Sequence, residues 1–256
     1  MFRFPPSRDD RAGHVLLKQT FLHIQGIGEV TERKLWSSGI RTWSDLLQRD
    51  PESHYRQDVA LSVDRFEHGD WKWFDQAIPS AHRWRAFGDF PESTLYVDIE
   101  TDGGMGPDSM TVIGAFDGRE TRMFVAGENL DDAREYIEGF PVIATYNGSL
   151  FDMPIIRSRF TYNLFNHIHI DLRFPLHRLG LKGGLKRVEQ LVGIERSAET
   201  AGLSGWDAVR LWREYQRGSR EALQLMLEYN AEDVRNLKPL MELVFNRMSR
   251  QSGVNV

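Results

Sequence analysis

The most constraining stretch of the chain is Leu95-Tyr96-Val97-Asp98-Ile99-Glu100-Thr101, an apolar run carrying two carboxylates two residues apart. In an extended strand successive side chains alternate between faces, so Asp98 and Glu100 project from one side while Val97 and Ile99 pack on the other. Two like charges side by side repel, and a divalent cation with oxygen ligands is the simplest group that holds them together. A surface strand with a solvated acidic face is the alternative, and the pattern alone leaves both readings open.

Downstream, residues 111–116 and 122–125 read as short strands joined by the turn Asp117-Gly118-Arg119. Residues 129–138 suit a helix, and Pro141 precedes a strand at 142–146. Three turn-linked strands followed by alternating helix and strand predict an α/β fold, a mixed sheet flanked by helices. His167, His169 and Asp171 alternate along one more strand. It is read as half-exposed, and no histidine metal site is expected there.

Two more carboxylates stand at informative places. Asn147-Gly148-Ser149-Leu150-Phe151-Asp152-Met153-Pro154 puts Asp152 at a strand-to-helix junction, where open sheets present ligand-binding groups. A helix cap is the competing reading for Asp152. Ala222, Met226, Tyr229 and Asp233 recur at helical spacing, so an apolar stripe ends in a carboxylate with Tyr229 one turn before it. An inward carboxylate is costly unless paired or metal-bound, so this helix is expected to lean on the acidic strand. Leu237 is expected to end the helix and Pro239 to begin a final one.

Toward the N-terminus, Gly26-Ile27-Gly28 reads as a tight turn between two helical segments, and Gly39-Ile40 followed by Thr42 and Asp45 as a helix stop and a new cap. This resembles a helix-hairpin-helix unit, in which glycines let backbone N–H groups approach a phosphate; that resemblance implies phosphate contact at Gly26 and Gly28, with Lys34 and Arg33 assisting. A small helical packing module is the alternative. Trp71, Trp73 and Phe74 are read as packing, and a boundary falls between Pro79 and Pro91. Two domains are expected, a helical region over residues 1–80 and a sheet domain over 91–250.

The chain has no run of eighteen apolar residues, so no membrane span is expected. Zero cysteines exclude disulfides and thiolate metal sites; with no apolar leader at the N-terminus, a cytoplasmic location is expected. The net charge of −5 hides a sorting along the chain. Residues 157–187 hold seven Lys or Arg against one acid, and residues 1–49 eight against five. Two basic regions on an acidic protein suit a polyanion held against an acidic metal site.

Taken together, Asp98-Ile99-Glu100, Asn147 to Asp152, and Tyr229-Asn230-Ala231-Glu232-Asp233 resemble the three motifs of DEDD-type 3′-5′ exonucleases of the ribonuclease H-like superfamily, in the tyrosine-containing branch. The second motif is also similar to that of proofreading exonuclease domains of family B polymerases. Gly183-Gly184-Leu185-Lys186, Gly193-Ile194 and Gly205-Trp206-Asp207-Ala208-Val209 resemble the bacterial YprB-like group. The resemblance implies a ribonuclease H-like fold over about residues 94–247 and metal-dependent hydrolysis of single-stranded DNA or RNA from the 3′ end. It implies two Mg²⁺ or Mn²⁺ ions held by Asp98, Glu100, Asp152 and Asp233, with Asp98 bridging both and Tyr229 orienting the attacking water. Asn147, Phe151, Arg157, Arg159, Lys182 and Lys186 are the expected nucleic-acid contacts. The competing functions are a non-catalytic nucleic-acid-binding scaffold and a ribonuclease H-like endonuclease or resolvase.

Overall fold

The computed structural model describes residues 16–50, 52–160 and 165–252. The N-terminal start and three basic side chains of the first region, Arg3, Arg8 and Arg11, lie outside the described residues. A 3-10 turn at Leu17–Gln19 is followed by α1 (Glu29–Ser37), α2 (Trp43–Arg49), α3 (Arg56–Glu67) and α4 (Trp71–Ala77). Local chemistry sets these starts. Asp45 N–H donates to Thr42 Oγ1 (3.1 Å) while Thr42 N–H donates to Asp45 Oδ2 (2.8 Å), and Asp70 caps α4 by accepting from Trp73 N (3.1 Å).

Before Gly26, where the sequence predicts the first helix of a hairpin, the chain makes consecutive tight turns. Ile24 N–H donates to Phe21 O and Ile27 N–H to Ile24 O, and Phe21, Ile24 and Ile27 are all buried. Side chains three apart eclipse in turns of this kind, so all three enter the core together.

A 3-10 stretch at Ser80–Gly88 leads to the sheet: β1 (Thr94–Thr101), β2 (Met110–Phe116), β3 (Thr121–Val125), then α5 (Ala133–Glu138), β4 (Val142–Thr145), α6 (Asp152–Phe160) and β5 (Ile168–Asp171). The chain finishes with α7 (Arg173–Arg178), α8 (Leu185–Val192), α9 (Gly205–Gln216) and α10 (Arg220–Ser252). Strand order is β3-β2-β1-β4-β5, with β1–β2 and β2–β3 antiparallel and β1–β4 and β4–β5 parallel. It is the mixed, helix-flanked sheet expected from the order of elements.

Alternation along β1 divides the core. Leu95, Val97 and Ile99 pack with Ile113, Ile137, Ile143 and Ile156 on one face. Tyr96 packs on the other with Ile168, Ile170 and the α10 side chains Leu237, Met241 and Val244. That second cluster continues without a break into Leu17, Phe21, Trp43, Phe74 and Trp84, so the N-terminal helices and the sheet share apolar contacts.

Two expectations are corrected. The β5 strand is buried rather than half-exposed, because α4 covers the sheet edge: His169 N–H donates to Asp75 Oδ1 (2.9 Å), and Asp75 is itself paired with Arg83 (2.8 Å). The final helix does not restart at Pro239 but runs through it. An interior proline costs about 3 kcal/mol. Burying Leu237, Leu240, Met241, Val244 and Phe245 at about 1.5–3 kcal/mol each outweighs that. Among the described residues no helix is long and apolar enough to cross a membrane.

Candidate active site

Three elements converge on one cleft of about 590 Å³, whose lining includes Asp98, Glu100, Asp152, Tyr229 and Asp233. Strand alternation places Asp98 and Glu100 on the β1 face covered by α10. The helix brings Tyr229 and Asp233 there from one stripe, and the first turn of α6 brings Asp152. Carboxylate oxygens of Asp98, Glu100 and Asp233 lie within 4.8 Å of one another. Asp152 stands slightly apart, its Oδ1 accepting from Ile99 N in the adjoining strand (3.1 Å).

The electrostatics follow from crowding four acids into one cleft, with Glu100, Asp152 and Asp233 buried and Asp98 partly so. Burial is the largest cause of each shift. Glu100 is pushed up to about 8, with Asp233 repelling it next; Asp152 to about 7; and Asp233 to about 6 despite the opposing charge of Arg196. Desolvation, then repulsion from Asp152, Asp233 and Glu100, holds Asp98 well above the usual carboxylate range. Protons or a cation must offset this charge, and a cluster of hard oxygen donors this close fits a divalent cation. Burial, followed by the charges of Asp233, Glu100 and Asp98, raises the Tyr229 phenol far above its ordinary value, so Tyr229 stays protonated and can donate a hydrogen bond.

Of the other residues expected in the site, Asn147 and Phe151 line the cleft. Asn147 adopts a left-handed backbone (φ 64°), and its N–H donates to Asp171 Oδ1 (2.7 Å). Lys186 Nζ lies 4.4 Å from the Tyr229 ring centroid, with no hydrogen-bond acceptor among the described residues. Desolvation, then the neighbouring Arg196, lowers its pKa. Lys182 is exposed in the loop before α8. The two arginines of α6 are directed elsewhere. Arg159 pairs with Asp131 (2.7 Å) and reaches toward Asp108 (3.9 Å), and Arg157 lies in electrostatic reach of Asp75, Arg83 and His167. Gly26, Gly28 and Lys34 are exposed around the start of α1, with Gly26 at φ 85°.

Several residues of the site escape a reading of the sequence. Arg196 bonds to both Glu189 and Asp233, and Glu189 is fully buried. Asn230 donates to Asp98 and Glu100. Asp171 also accepts from the N–H groups of Ser149 (3.0 Å) and Arg173 (3.1 Å), which pins the loop before Asp152. Trp206, 80 % exposed, stands in the cleft lining near Met105 and Val209. Asn230 carried a local signal, lying inside the Tyr-x-x-x-Asp motif three residues before Asp233; Arg196 carried none.

Residues 95–245 match the family model of the RNase_H superfamily. In structure the chain is similar to the family B DNA polymerase from the hyperthermophilic archaeon Pyrobaculum calidifontis, with a TM-score of 0.50 and 18 % identity over 63 % of this chain and 26 % of that one. The chain thus spans about a quarter of that polymerase, and at this identity the likeness is one of fold. No curated protein matches it in sequence. The family match covers more than half of the chain and runs from β1 into α10, enclosing Asp98, Glu100, Asp152 and Asp233, and the chain therefore belongs to the RNase_H superfamily.

Proposed function

We propose that this protein is a metal-dependent nuclease that shortens single-stranded DNA or RNA from the 3′ end, in the manner of the tyrosine-type DEDD exonucleases and the YprB-like group its motifs resemble. The observation that carries the reading is the meeting of Asp98, Glu100 and Asp233 within 4.8 Å at the floor of an open cleft. Asp152 and the raised Tyr229 stand beside them. Residues 91–250 form the catalytic unit in this reading, and residues 1–80 assist through Gly26, Gly28 and Lys34 on the phosphate backbone.

Asp98, Glu100, Asp152 and Asp233 would hold Mg²⁺ or Mn²⁺, two ions in the full site. When bound, such ions supply electrophilic stabilisation of the charge that builds on the phosphate during displacement. The chain's own residues do the rest. A phenol this far from ionisation is no base at neutral pH, so the Tyr229 hydroxyl orients the attacking water. Lys186, beside Tyr229 and without an acceptor among the described residues, supplies a cation for a phosphate oxygen. Trp206 and Phe151 on the cleft wall offer faces for unpaired bases, which supports a single-stranded substrate.

The test is incubation of the protein with 5′-labelled single-stranded DNA and RNA in Mg²⁺ or Mn²⁺, beside the Asp98→Ala variant and an EDTA control. A metal-dependent ladder shortening from the 3′ end and absent from the variant is expected. Internal fragments would make the protein an endonuclease, and strands bound but left intact would make it a binding protein.

A further inference from the structure

Across the β1–β2 ladder, the residue opposite Asp98 is Gly114. The space above it is filled by Asn230, which descends from α10 and is fully buried (0 % exposed). A Cβ on Gly114 would stand 1.8 Å from Asn230 Oδ1 and 3.0 Å from its Cγ, so only glycine admits this side chain. Asn230 Nδ2 donates to Asp98 Oδ2 (2.8 Å) and Glu100 Oε1 (3.3 Å), while Oδ1 has no hydrogen-bond donor among the described residues. With both acids ionised, as a bound cation requires, the opposite amide orientation would aim an oxygen at two carboxylates, so the metal-binding form of the acids sets the direction.

Both features are unfavourable in isolation. Glycine weakens the middle of a strand, and a buried acceptor without a donor is disfavoured. Together they place one neutral donor between two acids. A Lys or Arg there would neutralise the acids and compete with any metal; an amide fixes the oxygens and leaves their charge to the ion. We infer that Asn230, admitted by Gly114, is a positioning residue that presets Asp98 and Glu100 to receive a divalent cation, an inference that rests on the metal-dependent reading of the site.

The test measures Mn²⁺ binding by calorimetry on the full chain for wild type, N230A, G114A and the double variant N230A/G114A. Each single substitution is expected to weaken Mn²⁺ binding about tenfold or more, the usual cost of losing a partner that orients a ligand. In the double variant the alanine at 114 no longer meets the Asn230 amide, and Val234 Cγ1, 3.3 Å away, has only to give by a few tenths of an ångström, so binding is expected to be no weaker than in N230A. Wild-type affinity in N230A, or losses that simply add in the double variant, would overturn the positioning role. Failure of wild type itself to take up Mn²⁺ is a separate outcome that removes the metal-dependent reading and this inference together.

If N230A does not fold, the isosteric N230D replaces it. That variant turns a carboxylate toward two others and is expected to melt lower than wild type without Mn²⁺ and to gain more from Mn²⁺ than wild type does. A loss in melting temperature that Mn²⁺ leaves unchanged would assign Asn230 a packing role and overturn the inference.

Discussion

The guanidinium of Arg196 is hydrogen-bonded to the carboxylate of Asp233, joining the loop after α8 to the turn of α10 that carries the last acid of the cluster. Glu189 holds the same guanidinium at two points (2.6 and 2.7 Å) and also accepts from Asn236 Nδ2 (2.9 Å). Arg196 is therefore fixed before it meets Asp233. It turns that carboxylate and offsets part of the cluster's charge. Removing one member of a buried ion pair costs about 3–5 kcal/mol, because the partner is left uncompensated. Arg196→Ala should lose stability on that scale in chemical denaturation, and Arg196→Lys should recover only part, since an ammonium cannot reproduce the planar fork. A variant as stable as wild type would show that the pair contributes nothing.

Asp98 is repelled by Asp152, Asp233 and Glu100. Asp98→Asn keeps the shape and removes one charge, so without metal the variant should melt at a higher temperature than wild type. Its nuclease activity should fall at least about a hundredfold, since even partners that only orient metal ligands cost 10–100-fold. Stability and activity moving in opposite directions is the signature; a variant that lost both would point to a structural role.

Trp206 is too exposed to hold the fold together. Stacking of a base on an aromatic ring is worth about 1–3 kcal/mol. Trp206→Ala should therefore raise the KM for a single-stranded substrate roughly five- to a hundredfold, with kcat nearly unchanged and the same melting temperature. An unchanged KM would remove Trp206 from the substrate path.

His167 has two buried ring nitrogens without hydrogen-bond partners among the described residues. Burial, with Arg157 adding to it, lowers its pKa to about 3 from an ordinary 6.5. The unfolded chain accepts a proton below about pH 6.5 that the folded chain refuses. The stabilisation is thus complete above 6.5 and is lost as pH falls toward 3. His167→Phe cannot take that proton, so its melting temperature should fall less than that of wild type between pH 7 and pH 5. Parallel pH profiles for the two proteins would show that His167 does not set the acid limit.

How much of this was legible depended on whether a signal was local. Alternation over seven residues was enough to put Asp98 and Glu100 on one face of a strand, and a four-residue spacing put Tyr229 and Asp233 on one face of a helix. Those periods belong to the backbone and need no knowledge of neighbours. The fate of Arg159 was not local: its partner Asp131 is 28 residues away and faces it only once α6 is packed. The strand of His167 and His169 reads as half-exposed because nothing nearby in sequence announces that α4, 94 residues earlier, supplies Asp75 to its open edge. Pro239 reads as a helix start because its intrinsic cost is local, whereas the apolar burial that overrides it comes from the sheet and the N-terminal helices.

The sequence by itself determined the kind of sheet, the order of its elements and the acids that face one way, since each follows from spacing along a single segment. Only the tertiary structure decided which charges meet. Arg196 finds Asp233 across 37 residues, and Asn230 finds Asp98 across 132. Hydrogen bonds and ion pairs act over a few ångströms whatever the separation along the chain, so such partners are set by how the helices cross the sheet.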